Sequence, residues 1–355
     1  MLFTASTVKD TLANLQRFVA GNLAGGADHL VVFLDAPHDT DPLARAFLHE
    51  HPRVTCIDAG KDWWLGDRPG QLNMRQRINA NFVKALLSPF EWADWVFHID
   101  ADEVVQIDRA ALAGAPADLR VAKLAPLEAV SQRSWDGDPT LFKRMLGKGD
   151  LTLLHTLGVI DRPHNGALFH GHVDGKSGVR PGLDVWLTLH KAIDADKQEI
   201  EPYEHPGLRL LHYESYSGED FVRKWSSLLS EGQTANFRPA REPTAVAVRA
   251  LIGRDLTAEQ ARPYLLRIFE RTTEDDLTTL RDLGLLDEID ARAGGHRPQD
   301  FPAGAHEEMT TVLGRLLVAP KRAFHPGEPA DGVRRLLDDA LDEQVTEGRS
   351  LRRRY

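Results

Sequence analysis

Four short apolar runs, MLFTAST, HLVVFLDA, RVTCIDAG and WVFHIDADEVV, punctuate the first 105 residues, and the stretches between them carry apolar side chains at helical spacing. KDTLANLQRFVAGNLAGG sets Leu12, Leu15, Phe18, Val19 and Leu23 on one helical face and stops at Gly25 and Gly26. PLARAFLHEHP reads as a short second helix, and RQRINANFVKALL as a third with Ile78, Phe82 and Leu86 on its inner face. Strands separated by helices pair in parallel, because a crossover is needed to bring the chain back to the same end of the sheet. The expected fold is therefore α/β: a Rossmann-like, mostly parallel sheet with flanking helices, whose ligands bind beyond the carboxyl ends of the strands.

Acidic residues gather at those ends. Asp10, Asp35, Asp58 and the pair Asp100 and Asp102 each fall at or just past an expected strand end. In WVFHIDADEVV the apolar run finishes in two carboxylates one residue apart, with Glu103 directly behind. A strand period of two points both aspartates the same way, where they can hold a divalent cation whose other positions go to diphosphate oxygens. Aspartates after strands are also ordinary turn formers and helix caps, so the triplet takes its meaning from its surroundings. Arg75 and Arg77 open the third helix, a place that suits a nucleotide's phosphates as well as a solvated surface. Trp63 and Trp64 suit stacking on a base or sugar, or buried packing. Further on, GHVDGKSGVRP sets Gly171, Gly175 and Gly178 around Lys176, Ser177 and Arg180, a loop whose backbone can approach an anionic ligand without being a P-loop.

Charge and cysteine usage narrow the partners. A net charge of −10 argues against a nucleic-acid footprint. The basic tail from Arg349 to Arg354 suits peripheral contact with anionic membrane lipid, or the end of a solvated helix. Cys56 is the only cysteine, so no intrachain disulfide can form, and a cytoplasmic setting is expected. Neither an export signal nor a membrane-spanning run is evident in the sequence. At 355 residues the chain exceeds the usual size of one core. The expected division is a catalytic domain over residues 1–235 and a helical region over 236–355, without strands of consequence, in which Thr257 before AEQ forms a capping box.

The order of parts resembles a known family. TVKD, NLQRFVAGNLAGGADHLVVFLDAPHD, RQRINANF, WADWVFHIDADEVV, FHGHVDGKSGVRPGLDVWLTLHKA and LRLLHYESYSGEDFVRKW together resemble the glycosyltransferase family 2-like group of GT-A enzymes, related to the family 92 glycosyltransferases, across residues 1–235. The resemblance implies a GT-A fold and transfer of a sugar from a nucleoside diphosphate sugar donor to the hydroxyl of a glycan or other acceptor. It implies inversion at the sugar carbon, Mn2+ or Mg2+ as cofactor, and a place in glycan or polysaccharide biosynthesis. Carried onto this chain, donor contacts fall to Asp10, Asp35, Arg75, Arg77, Asp100, Lys176 and Arg180. The metal falls to Asp100, Asp102 and His212, with His190 as the alternative to His212. The acceptor's proton falls to Asp174 or Glu214. Many members have Asn-Glu where this chain has Lys9-Asp10, which leaves the part of Asp10 in base recognition open. A nucleotidyltransferase on a similar sheet and a non-catalytic nucleotide-sugar-binding protein are the competing classes. A haloacid dehalogenase-type phosphohydrolase fits less well, because there the aspartate pair usually opens the first strand and is followed by Thr or Val. Oligomeric state is not set by the sequence.

Overall fold

The computed structural model describes residues 1–116, 118–230, 241–326, 328 and 330–346. The basic tail Arg349 to Arg354 and the expected domain boundary at 235/236 lie outside the described residues. In chain order the elements are β1 (Leu2–Val8), α1 (Leu12–Ala24), β2 (His29–Leu34), α2 (Pro42–Glu50), β3 (Val54–Asp58), α3 (Leu72–Leu87), β4 (Trp95–His98), β5 (Glu103–Ile107) and α4 (Arg109–Ala113). There follow β6 (Val121–Ala129), β7 (Leu141–Lys143), α5 (Lys148–Thr156), α6 (Asn165–Leu168), β8 (Lys176–Val179), β9 (Trp186–Leu187), β10 (Ala192–Ile193) and β11 (Tyr203–His212). The chain continues with α7 (Gly218–Ser230), α8 (Glu242–Ile252), α9 (Ala258–Thr272), α10 (Leu277–Asp282), β12 (Leu286–Glu288), α11 (Ala305–Leu316), a 3-10 turn (Lys321–Phe324) and α12 (Ala330–Thr346).

Two compact units share these elements, and both are assembled from separated segments. The first comprises Met1–Ala125, Gly175–Leu210 and Ala291–Tyr355; the second comprises Pro126–Asp174 and Leu211–Asp290. This division differs from the expected one at residue 235. Leu286–Glu288, in a stretch read as helical, is a strand antiparallel to β7 and belongs to the second unit, whereas α11 belongs to the first. Three residues are too few to display a strand period, so β12 is not visible in the sequence pattern.

The first unit carries the expected α/β sheet. β1 is central and pairs in parallel with β2, from Phe3 opposite His29 to Val8 opposite Leu34, and with β4, from Leu2 opposite Trp95 to Ala5 opposite His98. β3 extends the parallel set beside β2, while β8 runs antiparallel to β4 and the first residues of β6 run antiparallel to β8. Alternation explains how both faces are covered. Phe3, Ala5, Val31 and Phe33 face Ile78, Phe82, Val83 and Leu86 of α3, and Met309, Val312 and Leu316 of α11 join that core. Leu2, Val8, Leu30, Val32 and Leu34 form the opposite core with Leu15, Phe18 and Val19 of α1.

One glycine sets how closely β8 approaches β4. A Cβ on Gly178 would stand 2.3 Å from the Phe97 ring, so only a residue without a side chain lets the two strands pair at this register.

In the second unit the last residues of β6 pair with β7, which pairs with β12. A separate helical core joins α7, α8 and α9 through Phe221, Trp225, Ala245, Val248, Leu265 and Phe269. Thr257 and Gln260 form the capping box that starts α9. Among the described residues no helix is long and apolar enough to cross a membrane.

Candidate functional site

The parallel strands of the first unit end on a common edge, and an acidic residue ends or follows each. Asp10 comes two residues after β1, Asp35 directly after β2, Asp58 ends β3, and Asp100 comes two residues after β4. The aspartate pair does not continue the pleat of β4, as strand spacing suggested. β4 stops at His98 and β5 starts at Glu103, so Asp100 and Asp102 sit in the turn between them, closed by a hydrogen bond from the Glu103 amide to the Asp100 carbonyl at 3.1 Å. The two carboxylates are neighbours because the chain turns, not because a strand alternates.

Asp100 is fully engaged in that turn. Its Oδ2 lies 2.7 Å from Lys176 Nζ, its Oδ1 accepts from Gln76 Nε2 at 2.6 Å, and its own amide donates to Glu103 Oε2 at 2.6 Å. Lys176 Nζ is also 3.6 Å from Glu103 Oε2. The Lys176 side chain is 1% exposed and that of Glu103 0%, so these are charges inside the protein. Burial works against ionisation of Asp100, but the ammonium of Lys176 outweighs it and holds the carboxyl well below the usual range. Reciprocally, burial lowers the affinity of Lys176 for its proton, and Asp100 and Glu103 more than restore it. Both are charged at neutral pH.

β8 delivers the lysine. Phe97 is opposite Gly178, so Lys176, two residues earlier on the antiparallel strand, arrives at the carboxyl end of β4. Gly175, at φ +68°, makes the turn just before it. Arg180, at the other end of β8, lies roughly 13 Å along the strand from Lys176 at the usual rise per residue. There Arg180 stacks over the Trp95 ring at 4.8 Å and donates to the Leu119 carbonyl at 3.1 Å. The two cations of the Gly-Lys-Ser segment are thus not brought together.

Beside this turn His98 ends β4 with its side chain inside the protein, and neither ring nitrogen has a hydrogen-bond partner among the described residues. Burial first, and the charge of Lys176 second, push its pKa down to about 4, which keeps the imidazole neutral. Asn79 of α3 donates to Thr7 Oγ1 at 2.9 Å and leaves its own Oδ1 buried without a partner among the described residues.

The two arginines of α3 separate in role. Arg75 is 1% exposed and clamps Asp35 with two parallel bonds, Nε to Oδ1 at 2.7 Å and Nη2 to Oδ2 at 2.6 Å. Its Nη1 donates to the carbonyls of Pro69 and Gly70, both at 2.9 Å. Four of its five donors therefore hold the loop entering α3 against the end of β2. Arg68 adds a second cation to Asp35 at 3.1 Å. Arg77 is half-buried, and its Nε has no partner among the described residues. Asp10 accepts from the Thr11 amide at 2.7 Å and from Asn14 Nδ2 at 2.8 Å, at the start of α1. Asp58 is taken by Arg45 and by His49 of α2. Trp63 and Trp64 are both buried; Trp63 packs on Phe33 and Phe82, and Trp64 donates to the Ala59 carbonyl. His190 lies 3.0 Å from the Gly175 carbonyl and belongs to the first unit.

The remaining expected residues are in the second unit. His212 closes β11, stacked on His172 at 4.8 Å, with Glu128 at 3.8 Å and Glu214 at 3.9 Å. Glu214 is held by Lys224 at 2.6 Å, by Arg241 at 3.2 Å and by the Ser215 hydroxyl at 2.7 Å. Asp174, by contrast, is exposed.

Sequence reasoning left Gln76, Glu103 and Glu128 without a role. Gln76 follows Arg75 on the helix turn that faces the sheet, and Glu103 stands behind the aspartate pair in WVFHIDADEVV, so adjacency was their available signal. Glu128 gave none. It lies within the apolar strand β6, fully buried, and accepts the amides of His170 and Gly171 at 2.6 Å each while pairing with Lys143 at 3.1 Å. Asp275 joins them, 2.9 Å from Lys143 and 3.1 Å from His170.

The fold and this edge define an α/β protein whose parallel strand β4, between β1 and antiparallel β8, ends in a carboxylate-rich turn with a buried lysine in its grasp. No family model matches the chain, and no curated protein matches it significantly. Among solved structures, HddC from Yersinia pseudotuberculosis aligns over 62% of this chain and 96% of its own at 10% identity and a TM-score of 0.29. An active-site mutant of LgtC aligns over 39% of this chain and 49% of its own, at 20% identity and a TM-score of 0.22. The WbbM bifunctional glycosyltransferase aligns over 51% of this chain and 31% of its own, at 15% identity and a TM-score of 0.22. Overlaps this loose carry no activity across to this chain.

Proposed function

We propose that the chain is a glycosyltransferase that moves a sugar from a nucleoside diphosphate donor to an acceptor hydroxyl, with inversion and with a divalent cation at the β4–β5 turn. The observation that carries the reading is the turn itself: Asp100, Asp102 and Glu103 gathered at the carboxyl end of a parallel strand, with a buried lysine beside them. Carboxylate oxygens are hard ligands of the kind Mg2+ and Mn2+ take, and Asp100 already binds a positive charge at 2.7 Å, so the residues fit such an ion. Asp100 and Asp102 would hold it. Bound there, the ion would neutralise charge gathering on the departing diphosphate.

The chain's own groups supply the rest of the proposed chemistry. Lys176 would offer its ammonium to the same diphosphate, a stabilisation that counts most as the leaving group becomes charged. Arg77, with a donor unspent at the start of α3, is the proposed phosphate contact of that helix. Asp35 orders the loop before α3 through Arg75, and so acts on the donor pocket by position. Of the two carboxylates expected to accept the acceptor's proton, we propose Asp174, which is exposed, whereas Glu214 is already paired with Lys224 and Arg241. Cytoplasmic synthesis of a glycan or polysaccharide is the proposed setting.

Thermal unfolding with uridine or guanosine diphosphate, each with and without Mn2+, tests the reading, since a ligand bound by the native state raises the melting temperature. The expected result is stabilisation that needs both nucleotide and ion, and that disappears in Asp102→Asn while the variant stays folded. Stabilisation by nucleoside triphosphates alone would indicate a nucleotidyltransferase instead. An undiminished Mn2+ response in Asp102→Asn would take that residue out of the site.

A further inference from the structure

We infer that Lys176 is a built-in counter-ion that competes with the divalent cation for Asp100, so that the ion binds firmly only when an incoming diphosphate draws the lysine away. The inference rests on the proposed cation site and adds to it a rule for how that site loads.

Three observations lead to it. Both carboxylate oxygens of Asp100 are occupied, Oδ2 by Lys176 at 2.7 Å and Oδ1 by Gln76 at 2.6 Å. Each oxygen keeps a further lone pair and the side chain is 26% exposed, so an ion can reach Asp100, but it arrives next to a partner already in place. Of the two, Lys176 is the one whose charge the ion would duplicate. Second, the ammonium lies between two acids, Asp100 and Glu103, on a side chain 1% exposed, so its positive charge is not dispersed into solvent. A divalent ion brought to the same carboxylates would meet an unscreened like charge, and that repulsion weakens with distance only slowly inside a protein. Third, the lysine is the first residue of β8 and follows the positive-φ turn at Gly175, so its backbone is fixed at a strand end while four side-chain bonds remain to redirect the ammonium.

A diphosphate changes this balance. It offers Lys176 a new anionic partner and frees Asp100 for the ion, so each ligand strengthens the other. By linkage the strengthening is reciprocal, and couplings of this kind are commonly about 5- to 150-fold. Without the diphosphate, the lysine stays between Asp100 and Glu103.

The test measures Mn2+ binding to the full chain by the loss of the free-ion electron paramagnetic resonance signal, with no nucleotide present. Lys176→Met is expected to bind Mn2+ about tenfold more tightly than the unaltered protein, whereas Lys176→Arg, which keeps the charge, is expected to bind no more tightly. Because Lys176→Met takes the ammonium from between Asp100 and Glu103, its melting temperature should be lower and should rise with Mn2+ far more than that of the unaltered protein. Lys176→Gln is the second variant if Lys176→Met does not fold. Addition of inorganic pyrophosphate, with a protein-free Mn2+ and pyrophosphate baseline subtracted, should tighten Mn2+ binding to the unaltered protein and leave Lys176→Met nearly unchanged. Equal or weaker Mn2+ binding by the Met and Gln variants, with binding still dependent on Asp102, would overturn the competition and leave the cation site standing. Absence of Mn2+ binding in every protein, with and without pyrophosphate, would overturn the cation site and the competition together.

Discussion

At the scale of single residues, the deciding question on this protein's acidic edge is which charges are already spent. Asp35 and Arg75 both suit donor contacts by sequence, and the structure brings them together as a bidentate pair, with a third nitrogen of the arginine bonded to the Pro69 and Gly70 carbonyls. Asp100 and Lys176 likewise suit separate contacts, 76 positions apart, and meet at 2.7 Å. A sequence shows the residue types a site needs, but a salt bridge between distant residues depends on strand register, which no local pattern encodes. Gly178 makes the dependence testable. Its substitution by alanine would force a methyl group to within 2.3 Å of the Phe97 ring and push β8 off β4. The expected cost is about 1–3 kcal/mol of unfolding free energy, as for other overpacked sites, read from urea denaturation. An unchanged midpoint would mean that β8 and β4 do not approach as closely as described.

At the scale of elements, long amphipathic helices and apolar strands of the first unit were legible because their periods repeat several times. α1, α3 and the four parallel strands all fall where apolar spacing put them. The second unit is less legible, since beside its apolar clusters it buries ionised groups from β6, β7 and the segment between α9 and α10. There Asp275 accepts the Ser131 amide at 2.7 Å and pairs with Lys143 at 2.9 Å. Burial opposes its ionisation, yet Lys143 and then His170 prevail and hold its pKa at about 2, below the ordinary 3.8. A carboxyl with a depressed folded-state pKa contributes stability above its unfolded value and loses it as pH falls through the folded one. Melting temperature should accordingly drop between pH 3.8 and about 2, and Asp275→Asn should flatten the profile across that window. At neutral pH the same substitution takes one of two carboxylates from buried Lys143, which keeps Glu128, and the melting temperature is expected to fall. Parallel acid profiles for the two proteins would remove Asp275 from the titration.

For the whole molecule, what composition could not reveal is that its two units are interleaved along the chain. Residues from 236 onward looked like one helical appendage because their polar, turn-punctuated character is uniform, whereas their destinations differ. α8, α9 and α10 go to the second unit, and α11 returns to the first, where Met309, Val312 and Leu316 join the core that faces α3. Asp28, 0% exposed ahead of β2, ties that return down by accepting the Leu2 amide at 2.7 Å, the Gln299 amide at 2.9 Å and the Arg109 guanidinium at 2.9 Å. Truncation after residue 290 is therefore expected to expose apolar surface on the α3 side of the sheet. The truncated chain should bind a hydrophobic dye and aggregate on purification; a monodisperse, dye-silent product would show that the returning segment is dispensable.

The amide of Gln299 lodged on the carboxylate that also holds Leu2 has a consequence for how the chain is born. A ribosome delivers the amino-terminal strands long before it delivers their closing segment, so the nascent first unit must wait with one layer missing while some 190 intervening residues emerge from the tunnel, on the order of ten to forty seconds at ordinary elongation rates.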